Sequence, residues 1–569
     1  MLSFVVFDAD GVDSKLYPPR HAHLMGPDDV PTQGTVTLKP GLVEGEKTQP
    51  SATGLLVQFP VGKVEGLSGV LGEHGLGLLS VQTCLLPDAK QPYLLSVELA
   101  RHRIMFFLNK LEDWGLFDLS AEVPAMQQFE QARGQFTAAL VAQRDGASPE
   151  TGYSPDADKL ASKARAIAMN AGEQLTVIQA DRQLKARLSG QGYTDARAHL
   201  ARLTPEVPPT GAPILVPGAG HIVVSGPPQI GVAISPGQFA EGAQKAALAS
   251  ADFVTMPLRW VDLEPTEGKY NFANTDRWIE WAVRTAKIPI VGGPLIDFRP
   301  QCAPDWLFIW ENDYETLRDL VFEHVQAVVT RYRRTIPRWT VASGLHVNTN
   351  FKISFEQIMD LTRVCVLLVR KLHPAAKIQV EVAQPWGEYH ANNRRSIPPY
   401  VYADAVVQAG LNVDAIALRV QMGHAEPGLS TRDLMAFSAL LDRYAALEKP
   451  IFVTALGAPS QPVPAKPYRP RAGAAAEDAY EPGFWRSPWS EQTQADWLTQ
   501  VMAIACSKPY VQGVCWQELM DPPAGAPVPE MPGGGLLHST GQPKPAFQRL
   551  AQIRQAIKEG RSPLTIRAT

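Results

Sequence analysis

Six residues of this 569-residue chain stand where chemistry can be done: Asp297, His346, Glu381, Glu388, His424 and Glu518. Each falls in, or just past the end of, a β-rich run. A carboxylate or imidazole there can move a proton, attack as a nucleophile or hydrogen-bond a polar ligand. Glu381 sits within Ile378-Gln379-Val380-Glu381-Val382, where alternation sets it opposite the three aliphatic side chains. It is read either as an acid with a raised pKa or, by preference, as a core carboxylate bonded to Arg419 or a neighbouring strand. Gln384-Pro385-Trp386-Gly387-Glu388-Tyr389 puts a planar aromatic beside a carboxylate. It either grips a sugar by stacking and hydroxyl hydrogen bonds, or is a Pro-Gly turn with Trp386 packed on the next loop. Glu518, two residues after Trp516, is an acid or, more commonly for such a residue, a loop-ordering salt-bridge partner. His346 and His424 are isolated and read as hydrogen-bonded residues before ligands or bases. No HExxH or CxxC spacing occurs, so neither a metal nor a cofactor is expected. Gly533-Gly534-Gly535 precedes Leu536 and His538 rather than a helix start, and reads as a turn without a phosphate-binding role.

These residues need a scaffold. From Ile230 onward β-rich runs alternate with amphipathic helical stretches. The expected strands are Ile230–Ile234, Phe253–Pro257, Ile288–Gly292, Arg338–Ala342, Lys377–Val382, Ala415–Arg419, Ile451–Thr454 and Val511–Trp516. Periodicity also permits a doubly wound sheet, but eight βα units in a little over 300 residues favour a (β/α)8 barrel over 229–560. Active sites of such barrels lie at the C-terminal ends of the strands, where all six candidates fall. The loop after the seventh strand, 457–489, is long and holds seven prolines, Lys466, Arg469 and Arg471, with Tyr468, Tyr480, Phe484, Trp485 and Trp489. It reads as a lid over the barrel mouth or, by preference, as a flap or docking surface.

Upstream, 1–118 reads as short strands (Thr35–Leu38, Gly54–Phe59, Gly77–Gln82, Tyr93–Glu98, Arg103–Leu108) between Gly-Pro turns, which suggests a β-sandwich. Residues 119–203 change to Ala, Gln, Leu and Arg at helical spacing and predict two helices, about 120–143 and 155–189, paired as a hairpin. Ser154-Pro155-Asp156 is a start signal for the second, with an N-cap serine, proline at the first helical position and acids in the first turn. The proline-rich 204–228 reads as a linker. The fold class expected is therefore multidomain α/β: a β-sandwich, a helical hairpin, then a C-terminal TIM barrel.

Several strings in the barrel resemble family 10 glycoside hydrolases, the xylanase family. Phe253 to Trp260 followed by Leu263 to Phe272 resembles that family's second strand and loop, and Asp276-Arg277-Trp278 continues it. Gly292-Gly293-Pro294-Leu295 leading to Pro304-Asp305-Trp306-Leu307 resembles the third, and Gly541 to Phe547 the approach to the last helix. The resemblance implies a retaining glycosidase, which needs one carboxylic acid to protonate the leaving group and one carboxylate to attack the anomeric carbon. Both are missing at the matching positions. Where the family ends a strand-four motif on its acid, this chain reads Trp339-Thr340-Val341-Ala342-Ser343-Gly344. Where it places the nucleophile in strand seven, this chain reads Val453-Thr454-Ala455-Leu456-Gly457. Sugar-holding positions depart too: Thr255 and Met256 replace a Glu-Asn pair, and Gly293 and Asp297 replace a His and a Trp. Ligand-binding candidates that remain are Trp260, Asp297, Trp306, His346, Trp386, His424, Trp485 and Trp516. The N-terminal strands resemble such enzymes' carbohydrate-binding modules only in general habit.

The expectation is thus a catalytically degenerate barrel kept for glycan binding or scaffolding. The alternatives are a glycosyl hydrolase working through relocated carboxylates (Glu388, Glu518 or Glu381) and a structural, self-assembling protein. An oligo- or polysaccharide and a second copy of the chain are the partners considered. A net charge of −4 without a Lys/Arg stripe gives no footprint for nucleic acid, and no uninterrupted apolar run suits a membrane span. Five scattered cysteines suggest no disulfide framework. With no basic n-region at the start of the sequence, a cytoplasmic location, or export without a standard signal, is expected.

Overall fold

The computed structural model of the chain describes all residues except 8–19, 28, 49–50, 65–70, 72, 149–151, 217, 219, 300, 468–478, 527–530, 532 and 566–569. Tyr468, Arg469 and Arg471 of the long loop lie outside the described residues.

The C-terminal part is a closed parallel barrel. Its strands are β10 (Gln229–Ala233), β11 (Phe253–Met256), β12 (Ile290–Gly292) with its extension β13 (Ile296–Asp297), β14 (Arg338–Ser343), β15 (Lys377–Val382), β16 (Ala415–Gln421), β17 (Ile451–Gly457) and β21 (Val511–Trp516). Each expected strand coincides with one of these. The order runs β10-β11-β12-β14-β15-β16-β17-β21, and β21 pairs with β10 to close the ring. Every residue of β16 and β17 is buried. Strands sandwiched between barrel interior and helices have no wet face, so they read as unbroken apolar runs. One long helix follows each strand: α5 (Glu241–Ser250), α6 (Ala273–Glu280), α7 (Tyr314–Tyr332), α8 (Phe355–Leu372), α9 (Pro399–Gln408), α10 (Leu434–Ala445), α11 (Glu491–Ser507) and α12 (Pro545–Lys558). Local signals start several of them. Ser354 and Gln357 form a reciprocal capping box at α8, and Asp313, Asp433 and Ser490 cap α7, α10 and α11.

The N-terminal region holds two four-stranded sheets. One joins β3 (Gly34–Lys39), β4 (Leu42–Lys47), β1 (Leu2–Val5) and β7 (Tyr93–Leu94). The other joins β2 (Arg20–Met25), β5 (Gly54–Val61), β6 (Gly77–Gln82) and β20 (Phe484–Trp485). The expected strands at Tyr93–Glu98 and Arg103–Leu108 are corrected: beyond Leu94 the chain is helical, as α1 (Leu95–Asp113). A short apolar run fits either period, and here Leu95, Leu99, Ile104, Phe107 and Leu111 form a helical stripe against the sheets. Helices α2 (Pro124–Asp145) and α3 (Pro155–Leu188) form the expected hairpin, with Ser154 Oγ accepting from the Ala157 amide at 3.3 Å. α1 packs on α3 as well, and Phe107 stacks on Phe129 at 4.0 Å. A further helix, α4 (Gln191–Leu203), precedes a small hairpin, β8 (Ile214–Val216) and β9 (His221–Val223), in the stretch expected as linker.

The two regions interlock. The loop after β17 carries a short antiparallel pair, β18 (Lys466–Pro467) and β19 (Ala479–Tyr480), and then β20, which pairs with β6 through Phe484↔Leu78 and Trp485↔Gly77. α3 lies against α10 and α11 of the barrel. Its Arg187 donates to the carbonyls of Cys506, Lys508 and Val511 at 2.9, 2.8 and 2.6 Å. Burial draws that guanidinium down to about 10, still charged at neutral pH.

Candidate functional site

Barrel geometry brings the ends of β14 to β17 and β21 to one point, and the side chains meeting there form a closed network. Glu381 of β15 lies at its centre, fully buried. Arg419 of β16 donates from Nε to its Oε1 at 2.9 Å, and Ser343 Oγ of β14 donates to the same oxygen at 2.5 Å. Thr454 Oγ1 of β17 donates to Oε2. Arg419 Nη1 also donates to Gln517 Oε1 at 2.8 Å, just past β21. Burial pushes the Glu381 carboxyl up, but the Arg419 charge and the two hydroxyls outweigh it and hold the pKa below the ordinary value. Glu381 is therefore ionised and accepts from three side-chain donors. Of its two readings, the sequence-preferred pairing with Arg419 is the arrangement present.

Gly344 follows Ser343 directly, and Ala455 follows Thr454. Gly344 has a φ of +63°, the left-handed region that favours glycine. A Cβ there would meet Asp297 Oδ1 at 3.6 Å and Ala383 Cβ at 3.7 Å, ordinary contact, so space exists but the backbone is turned for glycine. Gly293 differs: at φ +121° a Cβ would run into the Thr340 carbonyl oxygen, so this backbone accepts no side chain there. Asp297 is buried and clamped by Arg299, whose Nε donates at 2.9 and 3.0 Å and Nη2 at 2.5 Å.

Glu388 is a second buried hub, outside the ring of strands. Arg432 pairs with it, the Gly428 amide donates at 2.6 Å and Tyr480 Oη at 2.8 Å. Burial opposes its charge, yet Arg432, then His23, Gly428 and Tyr480, bring its pKa down to about 2. Arg432 also lies over the Trp386 ring at 4.1 Å. Of the two readings of this loop, the structure has the packed turn: Glu388 is bonded by two other segments of its own protein, 428–432 and that of Tyr480. Glu518 is half-buried and accepts from Ser235 Oγ at 3.4 Å.

His346 is fully buried, stacked on Tyr402 at 4.9 Å, and its Nε2 donates to the Ala383 carbonyl at 2.9 Å. Burial lowers it to about 4, so it is neutral. His424 has Nδ1 3.6 Å from Glu426 Oε1 on the same loop. The tryptophans chosen as sugar platforms mostly pack within the protein. Trp260 is buried, stacks on His324 at 4.2 Å and donates to Glu264 at 2.8 Å. Trp306 donates to the Glu264 carbonyl at 3.1 Å, and Trp516 to that of Gly534 at 2.9 Å. Trp485 reaches Glu173 of α3 at 2.8 Å. Trp386 lines an open cleft.

The Ser343, Thr454 and Gln517 partners, and Arg299 and Arg432, were not singled out from the sequence. Arg419 had a signal, being a charge inside the apolar run Ala415-Ile416-Ala417-Leu418. Arg432 had none, because its partner is 44 residues away. Among the described residues no group of His, Cys, Asp or Glu is arranged to hold a metal ion. No helix among them is long and apolar enough to cross a membrane.

Residues 221–553 match the family model described as glycosyl hydrolase family 10. Solved structures that the chain matches include xylanase 10B from Thermotoga petrophila RKU-1 in complex with xylobiose, at 16% identity over 58% of this chain and 94% of that one, TM-score 0.42. The endo-1,4-beta-xylanase from Caldicellulosiruptor owensensis matches at 16% identity over 57% and 96%, TM-score 0.43. Xylanase B from Clostridium stercorarium F9 matches at 18% over 57% and 96%, TM-score 0.42.

Proposed function

The chain belongs to glycosyl hydrolase family 10, and from that premise we propose that its barrel does not cleave glycosidic bonds and serves as the scaffold that holds the N-terminal sheets and helices. One observation carries the reading. At the two strand ends where the resemblance expects an acid and a nucleophile stand Gly344 and Ala455, while the carboxylate between them, Glu381, is neutralised by Arg419. A glycosidase needs a carboxylic acid able to protonate the leaving oxygen and a carboxylate free to attack. Glu381, Asp297 and Glu388 are each bound to an arginine, so none is free to attack, and Glu381 and Glu388, held ionised by their partners, have no proton to give a leaving oxygen. Scaffolding is favoured by the interlock: β20 inserted beside β6, and Trp485 and Arg486 held by Glu173.

The test is turnover. Purified protein is incubated with aryl β-xylosides, aryl β-cellobiosides and xylan, and released phenol and reducing ends are measured. No release above the buffer rate is expected. Release that is abolished by Glu518→Gln would overturn the proposal in favour of relocated catalysis.

A further inference from the structure

We draw no further inference here: the strongest candidate, the notch between the loops that follow β14 and β15, where exposed Phe355 and Val401 stand beside Arg394 and Arg395, is an unpartnered apolar face, and nothing in the structure shows what covers it.

Discussion

Arg419 and Glu381 meet across the barrel interior on adjacent strands, Nε to Oε1 at 2.9 Å, at the level where Ser343 and Thr454 lead into Gly344 and Ala455. Both are buried, so their charges depend on each other. Arg419→Met alone should cost about 3–5 kcal/mol, because it strands a buried carboxylate, whereas Glu381→Gln with Arg419→Met should cost much less. Urea unfolding of the two variants checks this; equal costs would rule out mutual dependence.

Gly344 and Gly293 should respond differently to alanine. At Gly344 only the left-handed backbone resists, so Gly344→Ala should lose about 1–2 kcal/mol. At Gly293 the new methyl collides with the Thr340 carbonyl, and the loss should be clearly larger. Thermal melting of the pair decides it, and a Gly344→Ala effect as large as that of Gly293→Ala would mean the space at Gly344 is not there.

Glu388 carries a pH signature. Its folded pKa of about 2 lies below the ordinary 4.5, so its stabilisation is fully present above about 4.5 and is lost as pH falls toward 2. The protein should lose on the order of 3 kcal/mol through this group across that window, and Glu388→Gln should flatten that part of the profile. Denaturant midpoints at stepped pH measure it, with parallel profiles for both proteins as the refuting outcome.

Glu173 ties the loop after β17 to α3. It accepts from Trp485 Nε1 at 2.8 Å, from Arg486 Nη2 at 2.5 Å and from the Leu434 amide at 3.2 Å. Glu173→Ala should leave buried donors unmatched, destabilise the protein by about 2–4 kcal/mol and speed amide exchange in β20 and β6. Unchanged exchange there would show that strand pairing alone holds the loop.

The barrel was legible in the sequence because its strands are buried on both faces. Continuous apolar runs such as Ile416–Leu418 and Ile451–Val453 cannot be mistaken for surface, and their count set the topology. The absence of carboxylates at Gly344 and Ala455 was equally legible, being a matter of residue identity. The helix at Leu95–Asp113 was not, because a short apolar run fits both periods and its partner helix α3 begins only at Pro155.

Only the tertiary structure decided what the surviving side chains do. Glu388 looked like a ligand-facing carboxylate until Arg432, Gly428 and Tyr480 closed on it from loops 40 to 92 residues away. Trp260, Trp306, Trp485 and Trp516 looked like sugar platforms until each indole found a partner of its own protein. A residue's type fixes the bonds it can make, and local spacing fixes the face of the element it occupies. Whether that capacity is spent inside the protein or left for a ligand depends on which distant segment folds against it, and no local pattern carries that information.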